Sequence, residues 1–83
     1  MYQVALPKRV LKQQNKIPRQ YNIKIDKVLM ELRTDPLLGK PLTGEFKGQY
    51  SVRAWPYRVI YQILKQEKII LITTIQHRQG AYK

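Results

Sequence analysis

Two apolar runs, Tyr57–Leu64 (YRVIYQIL) and residues 69–76 (IILITTIQ), stand in the second half of the chain with only Lys65-Gln66-Glu67-Lys68 between them. Consecutive apolar positions rich in Ile, Val and Tyr predict central strands covered on one or both faces, and the polar residues between them predict a tight turn. Residues 49–54 alternate instead, with Tyr50, Val52 and Ala54 on one face and Gln49, Ser51 and Arg53 on the other. The expected second half is thus a three-stranded antiparallel meander. In a chain of 83 residues, what remains is one further layer that must cover the apolar face of that sheet.

That layer is legible upstream. Tyr21, Ile25, Val28, Leu29 and Leu32 recur at helical spacing and form a single apolar stripe. Pro18 suits the opening of this helix, where its missing N–H costs nothing, and Asp35-Pro36 ends it because a residue before proline avoids the helical region. Residues 8–16 predict a shorter basic helix anchored by Val10 and Leu11 and broken at Ile17-Pro18. Residues 2–6 alternate up to Pro7 and predict a short first strand, free to join the sheet. Residues 37–48 carry Pro41 and three of the 4 glycines, and are expected to be a connecting loop. The fold class is α+β: one domain over residues 1–83, with an N-terminal strand and a two-helix hairpin packed on a twisted antiparallel β-sheet.

Charge narrows the function. Lys and Arg number 16 against 5 Asp and Glu, a net charge of +11, which calls for a polyanionic partner: nucleic acid, an acidic protein or an anionic membrane. The absence of cysteine excludes disulfides, thiolate zinc sites and cysteine nucleophiles. One histidine and five scattered acids give no expectation of a metal centre, and no cofactor is expected. No apolar run approaches the roughly 18 residues of a membrane span, and the N-terminus lacks a secretory apolar segment. A cytoplasmic protein without a membrane partner is the expectation.

Strand register brings particular residues together. With Trp55-Pro56 as a tight connection, Arg53 lies near Arg58. With residues 65–68 as the second turn, Tyr57 and Arg58 lie near Ile75 and Gln76. Arg53, Arg58, His77, Arg78 and Tyr82 then gather around one patch, with Lys47 of the loop nearby. Arginine grips phosphate oxygens through a rigid fork that stays charged at any working pH, while tyrosine and histidine move protons or stack on bases. Trp55 beside the patch suits stacking on unpaired nucleotides, and Lys8 and Lys12 of the first helix suit contacts to phosphate. Glu45 is the one acid expected near the patch, so a hydrolase built on paired carboxylates is poorly supported. Tyr50, Tyr57 and Tyr61 are assigned to sheet packing rather than to base recognition.

The motif order adds a resemblance. A helical hairpin ending in Asp-Pro is followed by Pro41-Leu42-Thr43-Gly44, Tyr50-Ser51-Val52-Arg53, Tyr57-Arg58-Val59-Ile60-Tyr61 and a closing His77-Arg78-Gln79-Gly80-Ala81-Tyr82. Over nearly its whole length the chain resembles the RelE/ParE toxin superfamily of type II toxin–antitoxin systems. The resemblance implies a ribosome-dependent mRNA endonuclease of the RelE-like branch, in which a ribose 2′-OH attacks the adjacent phosphate. By position, Arg58 and Arg78 match phosphate-stabilising arginines, Tyr82 matches a C-terminal tyrosine linked to catalysis, and Arg53 matches a basic residue lining the site. His77 precedes the arginine as in many members and is a candidate acid or base. Ser51 stands where the best-known RelE-like nucleases carry a basic residue, and Trp55-Pro56 replaces their usual turn, two departures that imply weakened activity. The implied partners are a cognate acidic antitoxin, the ribosome and mRNA, with no specific DNA binding by this chain alone. Two alternatives accompany this reading: a ParE-like gyrase inhibitor, and a basic RNA- or ribosome-binding module with little catalysis.

Overall fold

A computed structural model of the chain describes residues 1–79. In chain order the elements are β1 (Gln3–Ala5), α1 (Lys8–Asn15), α2 (Arg19–Thr34), β2 (Lys40–Pro41), a 3-10 turn (Gly44–Phe46), β3 (Tyr50–Ala54), β4 (Tyr57–Leu64) and β5 (Ile69–His77). They build one five-stranded sheet in the order β1-β5-β4-β3-β2. The sheet is mixed: β2 to β5 are antiparallel, whereas β1 joins the far edge parallel to β5, with Gln3 opposite Ile69 and Ala5 opposite Leu71. The two-residue β2 lies inside the expected loop, where Lys40 pairs with Ser51 and Pro41 with Tyr50. Pro41 is tolerated there because the strand is an edge and needs no donor on that side.

Both helices cover one face of the sheet. Val10 of α1 and Ile25, Leu29 and Leu32 of α2 form a buried cluster with Val52, Ala54, Val59, Tyr61, Ile70, Ile72 and Ile75. The α2 stripe is thus the core-facing side of the helix, as its period requires. The turn between the helices is held by Asn22, whose Nδ2 donates to the carbonyl oxygens of Gln14 (2.7 Å) and Ile17 (3.0 Å).

Helix α1 also completes the sheet. β1 accompanies β5 only as far as Leu71, which leaves the next residues of β5 with an open edge. Side chains of α1 close it. Arg9 donates from its guanidinium to the Thr73 carbonyl oxygen, and Gln13 Oε1 accepts from the Ile75 N–H at 3.0 Å. Gln13 Nε2 also lies 3.2 Å from Thr74 Oγ1. Backbone groups of an edge strand are thereby paired without a further strand, which removes a template for edge-to-edge association.

A bulge corrects the expected register. Leu64 faces Ile69 and Tyr61 faces Ile72, but Ile60 faces Thr74, so the extra residue is Thr73. Its hydroxyl is within reach of Gln49 Oε1 (2.7 Å) and the Ile60 carbonyl oxygen (3.1 Å), which gives the bulged residue partners. Beyond the bulge every pairing moves by one residue. Tyr57 therefore faces His77, one residue beyond the Ile75–Gln76 pair expected beside it, while Arg58 faces Gln76.

Candidate functional site

Arg53 and Arg58 are paired across the β3–β4 hairpin, one rung before the closing pair Ala54 and Tyr57. Cross-strand partners point to the same side of a sheet, and neighbours along a strand point to opposite sides. Arg53, Arg58 and Gln76 consequently share the face turned away from the helices, while Val52, Val59 and Ile75 on the next rung are buried beneath them. Ser51, two residues before Arg53, belongs to the same face.

A groove of about 700 Å³ opens where β2 ends and the edge of β3 becomes free; its walls include Val28 and Glu31 of α2, Lys40 of β2, Ser51 and Arg53 of β3, and Arg58 of β4. Leu42 N–H donates to the Gln49 carbonyl oxygen at 2.9 Å. By alternation the backbone groups of Ser51 and Arg53 point to the same edge. The groove thus combines three basic side chains, one hydroxyl, one carboxylate and a strand edge. Glu31 lines this groove, whereas the one acid that the sequence leads one to expect near the site is Glu45. The available signal was the helical period: Glu31 follows Val28 by three residues and so shares its side of α2.

The wall formed by residues 36–40 is fixed by one buried tyrosine. Tyr61 is fully buried. Its hydroxyl donates to the Pro36 carbonyl oxygen at 2.7 Å and accepts from Gly39 N–H at 2.9 Å. Burial pushes this hydroxyl above its ordinary value of 10.0; the Gly39 bond opposes that shift, and the Coulombic effects of Tyr50 and Asp35 add to it. Gly39 has no room for a side chain, since a Cβ would lie 2.7 Å from the Ser51 carbonyl oxygen and 2.8 Å from the Tyr61 hydroxyl. Tyr50 stacks on Tyr61 with ring centroids 5.5 Å apart. These tyrosines hold the sheet and the groove wall together, in keeping with their assignment to packing.

At the end of the hairpin the residues separate onto two faces. His77 shares the rung of Tyr57, and their rings meet edge to face at 5.1 Å; Tyr57 in turn contacts Tyr21 of α2 at 5.7 Å. The pleat therefore turns His77 toward the helix side, opposite to Arg58. Its Nδ1 accepts from Gln79 N–H at 3.2 Å, so the proton of the neutral ring sits on Nε2. Arg78, one residue on, donates from its backbone N–H to the Pro56 carbonyl oxygen at 2.8 Å, and its guanidinium lies over the Trp55 ring, 4.7 Å from the centroid.

The remaining expected residues are spread out. Lys47 is exposed beside the 3-10 turn, before β3 begins, and so lies toward the Tyr50 end of that strand rather than the Trp55 end. Lys8 and Lys12 are exposed on α1, which lies against β5. Tyr82 falls outside the described residues. No helix among the described residues is long and apolar enough to cross a membrane.

Comparison with known proteins is consistent across sequence and structure. Residues 4–82 match the family described as ParE toxin of type II toxin–antitoxin system, parDE. The putative toxin RelE1 of Methanocaldococcus jannaschii is 34% identical over 86 residues, spanning 99% of this chain and 96% of that protein. Among solved structures, a chain of the toxin–antitoxin complex RelBE2 from Mycobacterium tuberculosis superimposes with a TM-score of 0.85 at 28% identity, covering 93% of this chain and 98% of that one. The archaeal RelE–RelB complex from Pyrococcus horikoshii gives a TM-score of 0.77 at 25% identity, over 96% of this chain and 98% of that chain.

Proposed function

This chain belongs to the RelE/ParE superfamily of type II toxin–antitoxin toxins, and from that premise we propose that it acts as a ribosome-dependent mRNA endonuclease. The observation that carries this reading is the Arg53–Arg58 rung on the helix-free face, with Arg53 exposed and Arg58 half-buried, beside a groove that also holds Lys40 and Ser51. Likeness to relatives named RelE supports the same branch. In the reaction the ribose 2′-oxygen attacks the adjacent phosphorus, loses its proton to a base and forms a new P–O bond. The P–O5′ bond breaks, and its electron pair leaves on the 5′-oxygen, which takes up a proton. The products are a cyclic 2′,3′-phosphate and a free 5′-hydroxyl.

The step builds negative charge on the non-bridging oxygens. Arginine forks aimed at that charge stabilise it without giving up a proton. Arg58 and Arg78 take that role in our reading, with Arg53 and Lys40 holding flanking phosphates. Tyr82 takes the proton step at the leaving oxygen by its match to the family's closing tyrosine. His77, turned toward Tyr57, instead supports the end of the sheet. Arg58→Ala and Arg78→Ala are expected to abolish cleavage with circular dichroism unchanged; cleavage retained in both variants overturns the assignment.

An acidic antitoxin is the natural partner for a chain of net charge +11 and is proposed as such here; the M. tuberculosis and P. horikoshii relatives were solved as toxin–antitoxin complexes. A second reading is favoured by the family description itself, which is that of a ParE toxin. In that reading the chain inhibits DNA gyrase by binding. A supercoiling assay separates the two, because the nuclease reading expects gyrase to be unaffected.

A further inference from the structure

Trp55 is the chain's single tryptophan and stands at the hairpin tip with 53% of its surface exposed. An exposed indole at the end of a basic face offers a π-surface on which an unpaired base stacks. Part of the ring already has one, the Arg78 guanidinium 4.7 Å from its centroid. The Arg78 backbone is tied to the same turn through the Pro56 carbonyl oxygen. Stacking of this kind fixes the plane of a guanidinium while leaving its N–H donors directed outward along their edges. The donors are therefore presented to a phosphate, and the exposed part of the indole lies beside them.

We propose that Trp55 and Arg78 form one nucleotide-binding element, in which Arg78 takes a phosphate through its N–H fork and the exposed indole takes the adjacent unpaired base by stacking. The ligand is single-stranded RNA, so the inference rests on the RNA-directed reading above and deepens it. Trp55 becomes the residue that makes the chain distinguish bases from a bare sugar–phosphate backbone. Because a larger ring stacks over more area, purines bind more tightly than pyrimidines at this position.

The test uses binding rather than cleavage. The full chain is titrated with a short 2′-O-methyl RNA that cannot be cut, following emission of the one tryptophan, and in parallel with an abasic ribose–phosphate oligomer of equal charge. The expected result is saturable quenching by the base-bearing RNA and none by the abasic oligomer. By anisotropy of a labelled RNA, Trp55→Ala binds roughly tenfold more weakly, and Trp55→Phe recovers most of that loss. Arg78→Gln weakens binding of the abasic oligomer as well, whereas Trp55→Ala, which loses the stacked base and only the orientation of the Arg78 fork, weakens the abasic oligomer far less than it weakens the base-bearing RNA. Equal quenching by the two oligomers, or unchanged RNA affinity in Trp55→Ala, overturns the proposal. Quenching and binding by uncleavable RNA support it whether or not the chain cuts mRNA, which keeps its outcome separate from that of the nuclease reading.

Discussion

Arg53 lies directly opposite Arg58 on one rung of the β3–β4 hairpin. Like charges in that position repel, and an opposite charge or a neutral pair there favours the sheet by about 0.2–1 kcal/mol. An anion bound beside the two arginines lowers that repulsion. Arg53→Thr is expected to raise the unfolding free energy by about 0.2–1 kcal/mol while weakening RNA binding and flattening its dependence on salt. Urea unfolding and binding at two salt concentrations read both quantities. A variant that loses stability and keeps its affinity contradicts this view of the rung.

Glu31 faces the same groove as Arg53, Arg58 and Lys40. On the RNA-binding reading proposed above, a carboxylate there opposes phosphates drawn to the arginines. Glu31→Gln is expected to strengthen binding of single-stranded RNA about two- to fivefold at low salt, with the gain fading as salt rises. Anisotropy of a labelled RNA measures this directly, and weaker binding in the variant shows that Glu31 serves the site rather than opposing it.

Tyr61 links the sheet to residues 36–39 through two hydrogen bonds. Its removal leaves the Gly39 N–H and the Pro36 carbonyl without that partner, so Tyr61→Phe is expected to cost about 1–3 kcal/mol at neutral pH. Its dependence on pH has a definite sign. The folded state holds the neutral hydroxyl with a pKa raised above 10.0, so the unfolded chain releases this proton first as pH rises. Its contribution to stability is complete below the unfolded pKa and falls progressively above about pH 10. The stability gap between wild type and Tyr61→Phe should therefore narrow between pH 8 and pH 11 in urea titrations; a gap that widens contradicts the burial of a neutral hydroxyl. Gly39→Ala drives a Cβ against the Ser51 carbonyl oxygen and is expected to cost about 1–3 kcal/mol.

Gln13 pairs with the Ile75 N–H where β5 has no neighbouring strand. Gln13→Ala is expected to cost about 1 kcal/mol. It should also speed hydrogen exchange at the Ile75 amide, leaving Ile70 and Ile72 protected. Uniform acceleration along β5 instead points to global loosening, not to loss of a local edge closure.

The parts of the fold legible in the sequence are those set by periodicity. Leu29 and Leu32 lie on the buried stripe of α2, and residues 57–64 and 69–76 stand side by side because apolar patterning and a polar turn specify them locally. The Arg53–Arg58 rung also followed from local information, the position of Trp55-Pro56. What was not legible depends on distant partners. The Thr73 bulge is stabilised by Gln49, 24 residues away, and it alone shifts His77 opposite Tyr57. The placement of β1 parallel to β5, the pairing of β2 where a loop is expected, and the groove shared by Glu31 and Arg53 are likewise tertiary. His77 reaches the end of the hairpin that carries Arg58, yet the pleat sets the two on opposite faces, which composition and motif order do not reveal.

The central claim, an arginine-based centre that cuts mRNA on the ribosome, is tested most directly by mapping cleavage of a translated mRNA by primer extension, with and without ribosomes. The account predicts discrete stops that appear only with ribosomes and vanish in Arg58→Ala. An mRNA left intact under both conditions by a folded wild-type chain contradicts it.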